Sequence, residues 1–291
     1  MRTPTIAVTA PSHAFDPIKL EAGLDLARGA GLDLVVLPDV MSPHRYLAHD
    51  DPTRLRNLRR ALGEPGFDAF WAVRGGSGIT RLLRHLDLDA LRPRLVIGFS
   101  DLTPLLEATR ARTGARCLHA PVLHSLAGTD PADRDALFRR LRGEALPPLV
   151  GESWHPGEVT GPLVGGNLTM LAATCGTPFQ VDARGAILFL EDVGEHPYRI
   201  DRCLQQLLDA GVLDQCAGVA LGSWDGCDAP KGASWRLEDV LAEVLLPLRV
   251  PMIAGLPCGH GSRNHPLVIG ATYQLGGGEL VELDPAPLLV G

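Results

Sequence analysis

The chain has 291 residues, of which 45% are hydrophobic and 21% are charged, a composition typical of a globular protein. Its 34 acidic and 27 basic residues give a net charge of −7 without a long basic run, which argues against nucleic acid or an anionic membrane as a partner. The N-terminal segment is too short and polar for a signal-peptide core, and no apolar run is long enough to span a bilayer, so we expect a cytoplasmic protein.

Six cysteines occur without Cys-x-x-Cys spacing and mostly in apolar surroundings. We therefore expect reduced thiols and predict neither a metal site nor a cofactor. Cys258, two residues before a histidine, has no surrounding motif that would support a nucleophilic role.

The first half of the chain alternates between strand and helix patterns. Strands are predicted at 6–10, 34–37, 68–73, 95–99 and 117–119, with helices at 20–30, 53–62, 79–85 and 105–110. Such alternation predicts a parallel sheet with right-handed crossovers. We expect the arginines of helix 53–62 to form a solvated face.

The pattern weakens at 128–160, which is rich in proline, glycine, aspartate and arginine, although a short helix is predicted near 131–142. We predict an N-terminal domain at 1–145, a crossover linker at 146–160 and a C-terminal domain at 161–291. In the second half, a turn at 161–166 leads into a helix. Strands follow at 186–190, 218–222 and 252–254, helices at 200–210 and 237–246, and a hairpin at 267–282.

Ser100 follows an apolar strand and precedes a helix, which places it at the carboxyl end of the sheet, where doubly wound folds bind ligands. The simpler interpretation is that Ser100 or Thr103 caps the helix, with Pro104 in its first turn. Arg74-Gly75-Gly76-Ser77-Gly78 ends the preceding strand and could face Ser100. It matches neither a P-loop nor a dinucleotide fingerprint, and a tight connection explains it equally well.

Two further polar side chains occur where strands end. Glu191 closes a predicted strand, and His260 lies in a glycine-flanked loop after another. A serine nucleophile needs an imidazole base, and the imidazole needs a carboxylate to orient it. The order serine, acid, histidine is that of α/β-hydrolases, but Gly98-Phe99-Ser100-Asp101-Leu102 lacks the last glycine of the hydrolase elbow. Order alone also arises by chance.

Short motifs in order along nearly the whole chain resemble the serine LD-carboxypeptidases, which include muramoyltetrapeptide carboxypeptidases and microcin-immunity peptidases. The motifs are Arg74-Gly75-Gly76-Ser77-Gly78, Gly98-Phe99-Ser100-Asp101, His119-Ala120-Pro121, Gly165-Gly166-Asn167-Leu168, Leu190-Glu191-Asp192-Val193-Gly194-Glu195, Tyr198-Arg199-Ile200-Asp201-Arg202 and Gly259-His260-Gly261-Ser262-Arg263-Asn264. The implied fold is α/β, with a doubly wound parallel sheet of flavodoxin or glutamine-amidotransferase type in the N-terminal domain and a smaller α/β C-terminal domain.

The resemblance implies Ser100 as nucleophile, Glu191 as acid and His260 as base, with Glu195 and His265 as the nearby rivals. It implies an oxyanion hole formed by the backbone N–H of Asp101 and that of Gly75 or Gly76. The expected substrate-binding residues are Arg74, Ser77, Trp154 and Asn167. Arg74 or Arg202 would bind a substrate carboxylate, although Arg74 could instead pack under its own loop. Relatives usually have an aromatic residue at the position of Ser77, which leaves the pocket shape open.

The implied reaction is metal-free release of D-alanine from muropeptide tetrapeptides during cell-wall recycling, by a protein that is usually a homodimer. One alternative keeps the triad but cleaves peptidyl or aminoacyl adenylates, with Trp154 stacking on the base. Another is a non-catalytic muropeptide-binding protein. His119 is either a pocket residue or a histidine satisfied at a strand end.

Overall fold

A computed structural model describes residues 3–89, 91 and 94–289 of the chain. Its first half alternates strands and helices, as predicted. The elements are β1 (Thr5–Thr9), α1 (Pro17–Gly29), β2 (Asp33–Val36), α2 (Asp51–Gly63), β3 (Ala69–Ala72), α3 (Thr80–Leu83), β4 (Leu95–Gly98), α4 (Thr103–Thr113), β5 (Cys117–His119), α5 (Leu123–Leu126) and α6 (Pro131–Leu141).

The second half begins with three closely spaced strands. Its elements are β6 (Leu149–Val150), β7 (Glu152–His155), β8 (Glu158–Asn167), α7 (Leu168–Ala173), β9 (Ile187–Val193), α8 (Pro197–Asp209), β10 (Gly218–Asp225), α9 (Leu237–Leu245), β11 (Met252–Ala254), β12 (Leu267–Ile269), β13 (Thr272–Gly276) and β14 (Glu279–Glu282). Short 3-10 turns lie at Ser100–Leu102, Leu213–Gln215 and Leu246–Leu248.

The first sheet has the strand order β2-β1-β3-β4-β5-β12. Strands β1 to β5 are parallel, and β12 pairs antiparallel with β5. The order of the parallel strands is that of flavodoxin-like sheets, in which ligands bind at the carboxyl ends near the switch between β1 and β3. The predicted α/β fold with a doubly wound parallel sheet is therefore confirmed.

Three helices begin with an aspartate cap and a proline in the first turn, both common at helix N-termini. Asp16 accepts a hydrogen bond of 2.9 Å from the N–H of Ile18 at the start of α1. Asp50 and Asp130 cap α2 and α6 in the same way. The cap on α1 fixes its first turn close to the carboxyl end of β1.

The second sheet has eight strands in the order β6-β14-β13-β8-β9-β10-β11-β7. Strands β8 to β11 are parallel, and the outer strands pair antiparallel. One core cluster lies around the first sheet and reaches the second, while another lies between the second sheet and helices α7 to α9.

The structure differs from the sequence prediction between residues 146 and 166. Strands β6 and β7 lie where we predicted an irregular linker, and β8 includes the predicted turn at 161–166. A side chain at Gly165 would come within 2.3 Å of the Phe189 carbonyl oxygen on the neighbouring strand. Glycine is therefore needed here for close strand packing, although the same composition is typical of turns.

The predicted hairpin at the C-terminus is only partly present. Strands β13 and β14 form it, and Gly277 and Gly278 make the turn with positive φ. Residues 267–269 belong instead to the first sheet as β12. Across the described residues, no helix is long and apolar enough to cross a membrane, and all six cysteines are free thiols.

The two halves meet along helix α4. Thr103 Oγ1 accepts a hydrogen bond of 3.1 Å from the N–H of Asn167, and the carboxylate of Glu107 accepts one of 2.7 Å from the N–H of Gly165. A side chain at Gly166 would come within 2.7 Å of Thr103 Oγ1. The end of β8 is thereby fixed against the first turn of α4, directly after Ser100.

Candidate active site

Ser100 occupies a strained turn between β4 and α4. Its φ is +64°, in the left-handed region that non-glycine residues rarely adopt. A non-glycine residue held in this region costs about 1–3 kcal/mol and usually indicates a functional constraint. The structure shows no side-chain cap on α4, so the interpretation of Ser100 or Thr103 as a helix cap is wrong. Instead the turn resembles a nucleophile elbow, which presents a serine hydroxyl above the end of the sheet.

Gly75 lies directly against Ser100. A Cβ atom at residue 75 would be 2.9 Å from Ser100 Cβ and 3.1 Å from Ser100 Oγ. The Gly75 carbonyl accepts a hydrogen bond of 3.3 Å from the N–H of His13. Within the described part of the chain, no acceptor is found for the N–H of Gly75 or Gly76. The predicted approach of the glycine-rich loop to the serine is thus present.

The side chain of Asp101 holds this loop in place. Its carboxylate is buried and accepts a hydrogen bond of 2.9 Å from the N–H of Ile79, just after the loop. Burial raises the pKa of Asp101. Hydrogen bonds from the loop lower this pKa, but burial has the larger effect. Asp101 therefore joins the serine turn to the glycine-rich loop through its side chain, leaving its backbone N–H next to Ser100.

Arg54 of α2 is a second support that the sequence analysis missed. We expected a solvated arginine face, but Arg54 is only 1% exposed. Its guanidinium donates to the carbonyl oxygens of Pro11 and Gly78, and it pairs with Asp51 at 2.5 Å. The loops after β1 and β3 are therefore joined by a buried cation. The hydrophobic pattern of α2 does not reveal that Arg54 is buried, because the apolar face of this helix is defined by its leucines alone.

Glu191 and His260 form a direct pair. Glu191 Oε2 lies 2.7 Å from His260 Nδ1, and the Glu191 side chain is fully buried near the end of β9. Burial raises the pKa of Glu191, opposed by the contact with His260. Burial lowers the pKa of His260, but the hydrogen bond and charge of Glu191 outweigh burial and leave this pKa raised. This arrangement fixes the ring so that Nε2 is available to act as a base.

The glycines on either side of His260 allow its loop to approach β10. A Cβ atom at Gly259, where φ is +144°, would be 2.2 Å from Ser223 Oγ and 3.0 Å from Glu191 Oε2. One at Gly261 would be 2.8 Å from an oxygen of Asp225. Only glycine permits this approach without displacing its neighbours, so the loop fixes the histidine beside the buried carboxylate.

The serine turn and the histidine meet through Phe99. The centroid of its ring lies 4.7 Å from that of His260, and Phe99 directly precedes Ser100. Both rings line a cavity of about 690 Å³ that is open to solvent. The structure therefore brings Phe99, the residue before Ser100, and His260, the partner of Glu191, to one cavity.

Comparisons with known proteins agree with this geometry. Family models for the LD-carboxypeptidase N-terminal and C-terminal domains match residues 6–120 and 160–275. The chain belongs to the LD-carboxypeptidase family.

Individual relatives match over almost the whole chain. A murein tetrapeptide carboxypeptidase of Pseudomonas aeruginosa is 37% identical, with 94% of each protein covered. A putative carboxypeptidase of Synechocystis is 38% identical, with 94% of this chain and 91% of the relative covered. The crystal structure of a muramoyltetrapeptide carboxypeptidase from Oxalobacter formigenes has a TM-score of 0.85 at 28% identity, covering 95% of this chain and 97% of its own. This LD-carboxypeptidase is thus a serine-type peptidase.

The rival residues lie elsewhere in this LD-carboxypeptidase. Glu195 pairs with Arg199 at 3.2 Å, and His265 contacts Asp133 at 3.3 Å. Cys258 is completely buried, and burial raises the pKa of its thiol well above the ordinary value. Neither the two rivals nor this cysteine is paired with His260.

His119 is buried directly behind the site. Its ring lies 5.7 Å from that of Phe99 and 5.0 Å from that of Phe189, centroid to centroid. Burial lowers its pKa to about 3, so the ring is neutral. Neither ring nitrogen has a hydrogen-bond partner among the described residues, so the expectation of a satisfied histidine is wrong and His119 acts as an aromatic core residue.

Two of the predicted substrate-binding residues, Arg74 and Ser77, belong to the glycine-rich segment after β3. Arg74 donates a hydrogen bond of 2.5 Å from Nη1 to the carbonyl of Ala14, which supports the loop after β1. Ser77 is exposed in the glycine-rich loop. Arg202, the other candidate for a carboxylate, lies on α8 with its guanidinium 5.8 Å from the Tyr198 ring, away from the cavity lined by His260.

The other two predicted residues have different surroundings. Asn167 is buried, caps α7 by accepting a hydrogen bond of 3.1 Å from Met170, and donates one of 2.9 Å to Asp192. Its side chain thus supports the strand that carries Glu191. Trp154 packs against the core beside the second sheet and lines a separate cavity together with Arg236. The structure does not bring Trp154 to the cleft that contains His260.

Proposed function

We propose that the protein is an LD-carboxypeptidase that releases the terminal D-alanine from muropeptide tetrapeptides, as in cell-wall recycling. The observation that carries this proposal is the Glu191–His260 contact of 2.7 Å beside the strained Ser100 turn. The names of the relatives from Pseudomonas aeruginosa and Oxalobacter formigenes support the substrate class.

In this proposal Ser100 Oγ attacks the carbonyl carbon of the L,D bond while His260 Nε2 takes the hydroxyl proton. The carboxylate of Glu191 stabilises the imidazolium through Nδ1. The carbonyl oxygen becomes an oxyanion, which accepts hydrogen bonds from the N–H of Asp101 and that of Gly75 or Gly76. Donors of this kind, fixed before the reaction, contribute about 3–4 kcal/mol each to transition-state stabilisation.

Collapse of the tetrahedral intermediate breaks the C–N bond, and His260 gives its proton to the leaving amine. A water molecule then attacks the acyl-enzyme with His260 as general base, which releases the tripeptide and restores Ser100. The leaving D-amino acid must therefore depart on the side of His260.

The experiment is incubation with an L,D-tetrapeptide and with its isomer ending in L-alanine, followed by mass spectrometry. We expect loss of alanine from the first peptide only, and no loss with Ser100→Ala. Equal cleavage of both isomers would contradict the stereochemical proposal, and cleavage by Ser100→Ala would contradict the assigned nucleophile.

The adenylate alternative depends on Trp154 as a stacking platform. Since Trp154 lies in a different cavity, we do not propose that activity. The non-catalytic alternative was based on Ser77 in place of an aromatic residue. Labelling by a serine-directed phosphonate tests it, and we expect a stoichiometric adduct on Ser100.

The division into domains at 1–145 and 161–291, the cytoplasmic location and the homodimer stay predictions. Light scattering in solution tests the dimer.

A further inference from the structure

The cavity that His260 lines is also lined by residues of α1 and α5. Phe99 and His260 contribute to its wall, and so do Lys19 of α1 and His124 of α5. The remaining lining residues lie within 125–129 and 259–264 and are uncharged. The cavity of about 690 Å³ is large enough for an amino acid with part of a peptide.

Among the described residues that line this cavity, none is acidic. Of the described residues that line it, Lys19, His124 and His260 are the titratable ones. Burial lowers the pKa of His124, and the nearby charges of Arg74 and Lys19 lower it further, while Asp16 acts in the opposite direction. His124 is therefore neutral at pH 7 and can donate one ring N–H.

Lys19 is the free cation of this group. Its side chain is exposed on the first turn of α1, and within the described part of the chain no carboxylate pairs with its ammonium group. Arg74 instead uses Nη1 for the Ala14 carbonyl, and Asp16 accepts the N–H of Ile18 as a helix cap. A ligand anion in the cavity would thus find an unpaired ammonium group.

The chemistry of the leaving group locates such an anion. An amine protonated by His260 must lie next to the imidazole, and in an α-amino acid the carboxylate is attached to the same carbon as the amine. The carboxylate of the leaving residue would therefore lie in the cavity beyond His260. We propose that Lys19, with His124 as a neutral hydrogen-bond donor, binds the free carboxylate of the terminal D-amino acid.

This inference rests on the proposed function and explains why cleavage would be restricted to the chain end. A peptide that continues past the leaving residue, or ends in an amide, has no carboxylate for Lys19. Charge-assisted hydrogen bonds to carboxylates are about twice as strong as neutral ones, so the acid should be favoured over the amide.

The test compares an L,D-tetrapeptide with the same peptide ending in a carboxamide. The variants are Lys19→Met and Lys19→Arg, with Lys231→Met as the matched control, since Lys231 is the other lysine of the chain and is exposed in a loop. We expect Lys19→Met to lower kcat/KM for the acid by about 10- to 100-fold, with no change for the amide. Lys19→Arg should retain most of the preference, and Lys231→Met all of it.

Binding to the Ser100→Ala protein, measured by calorimetry, provides a readout that needs no turnover. There the added Lys19→Met change should abolish the preference for the acid over the amide. Wild-type selectivity in Lys19→Met, or an equal loss on both peptides, would overturn the inference while leaving the proposed function intact. If the wild-type protein cleaves neither peptide, the proposed function fails. In that case, acid-selective binding that depends on Lys19 would still support the carboxylate site, and equal binding of both peptides would overturn it.

Discussion

Asp133 on helix α6 accepts a hydrogen bond of 3.1 Å from the backbone N–H of Asn264, in the loop that carries His260. The same carboxylate pairs with Arg263 at 2.7 and 3.0 Å and contacts His265 Nδ1 at 3.3 Å. A buried carboxylate of the first half thus fixes a loop of the second half. The position of His260 depends on this contact.

Replacing Asp133 by alanine should therefore reduce both stability and activity. The Asn264 N–H would lose its acceptor in a buried position, so we expect a loss of about 1–3 kcal/mol in unfolding free energy and a lower kcat. Urea unfolding and steady-state kinetics measure the two effects. Asp135→Ala on the same helix is the control, because Asp135 is exposed and, among the residues that the structure describes, forms an ion pair only with Arg139 at 3.9 Å; an equal effect of both changes would contradict the role of Asp133.

The contribution of Asp133 should also depend on pH. Burial raises the pKa of Asp133, but the hydrogen bond and charge of Arg263 outweigh it, so the folded pKa is lowered. Asp133 then stabilises the fold fully above pH about 4, the pKa of an aspartate in the unfolded chain. This contribution is lost as the pH falls through the lower pKa that Asp133 has in the folded protein. Unfolding of the wild type and Asp133→Ala should differ at pH 7 and converge in acid. A constant difference from pH 7 to pH 3 would refute this linkage.

Gly75→Ala should abolish most activity without unfolding the protein. The added methyl group would lie 2.9 Å from Ser100 Cβ and 3.1 Å from Ser100 Oγ, so the serine or the loop must shift. Small misplacements of catalytic groups cost about 100-fold in rate, and we expect kcat to fall by at least that factor. Gly63→Ala is the control, since a side chain there meets no atom within 4 Å; wild-type kcat in Gly75→Ala would show that the contact is irrelevant.

The rate should fall on the acid side as His260 becomes protonated. Because Glu191 raises the pKa of His260, the fall in kcat/KM should begin above pH 6.5, the ordinary value for histidine. Glu191→Gln removes the negative charge that raises the pKa of His260. The imidazole stays buried, and burial lowers its pKa. We expect the acid limb of the pH profile to move to lower pH and kcat to drop by about 10⁴-fold. Glu195→Gln, at the rival carboxylate, should change neither, and an unmoved limb in Glu191→Gln would exclude His260 as the titrating base.

Arg54→Met should slow catalysis although Arg54 lies outside the cleft. Loss of its bonds to the Pro11 and Gly78 carbonyls would free the loop that contains Gly75. We expect a lower kcat, KM within about threefold of wild type, and phosphonate labelling of Ser100 slowed in parallel. Arg56→Met is the control, because Arg56 is exposed and its one ion pair within the described part of the chain is with Asp39 at 3.2 Å. Normal labelling and kcat in Arg54→Met would limit Arg54 to a structural role.

Local sequence patterns were enough to predict the parallel sheet, because each of its strands is a short apolar run closed by glycine, proline or a polar residue. The same reasoning placed Ser100 and Glu191 at strand ends and His260 in a loop after a strand, although β9 continues past Glu191 to Val193. It could not assign β8, since Gly165 and Gly166 are turn residues by composition and strand residues only because β9 and α4 pack against them. Arg54 was missed for a similar reason, because the carbonyl groups that bury it are 24 and 43 residues away.

Lys19 was missed by the sequence analysis for a different reason. Its position in the first turn of α1 follows from the Asp16 cap and Pro17, but nothing local indicates that this turn lines the same cavity as His260. Only the return of the chain from the second sheet creates that juxtaposition. Sequence reasoning therefore selected Arg74 and Arg202, which belong to the recognised motifs.

Strand β12 makes the order of synthesis relevant to folding. The outer edge of β5 receives its partner from residues 267–269, which are synthesised long after β5 itself. Until then the nascent first sheet exposes unpaired N–H and C=O groups, a template for association with other chains. A truncation before residue 267, which removes β12, should therefore leave the edge of β5 unpaired and make the shortened chain aggregate, so the sheet that carries the serine turn is completed only by a segment of the second half.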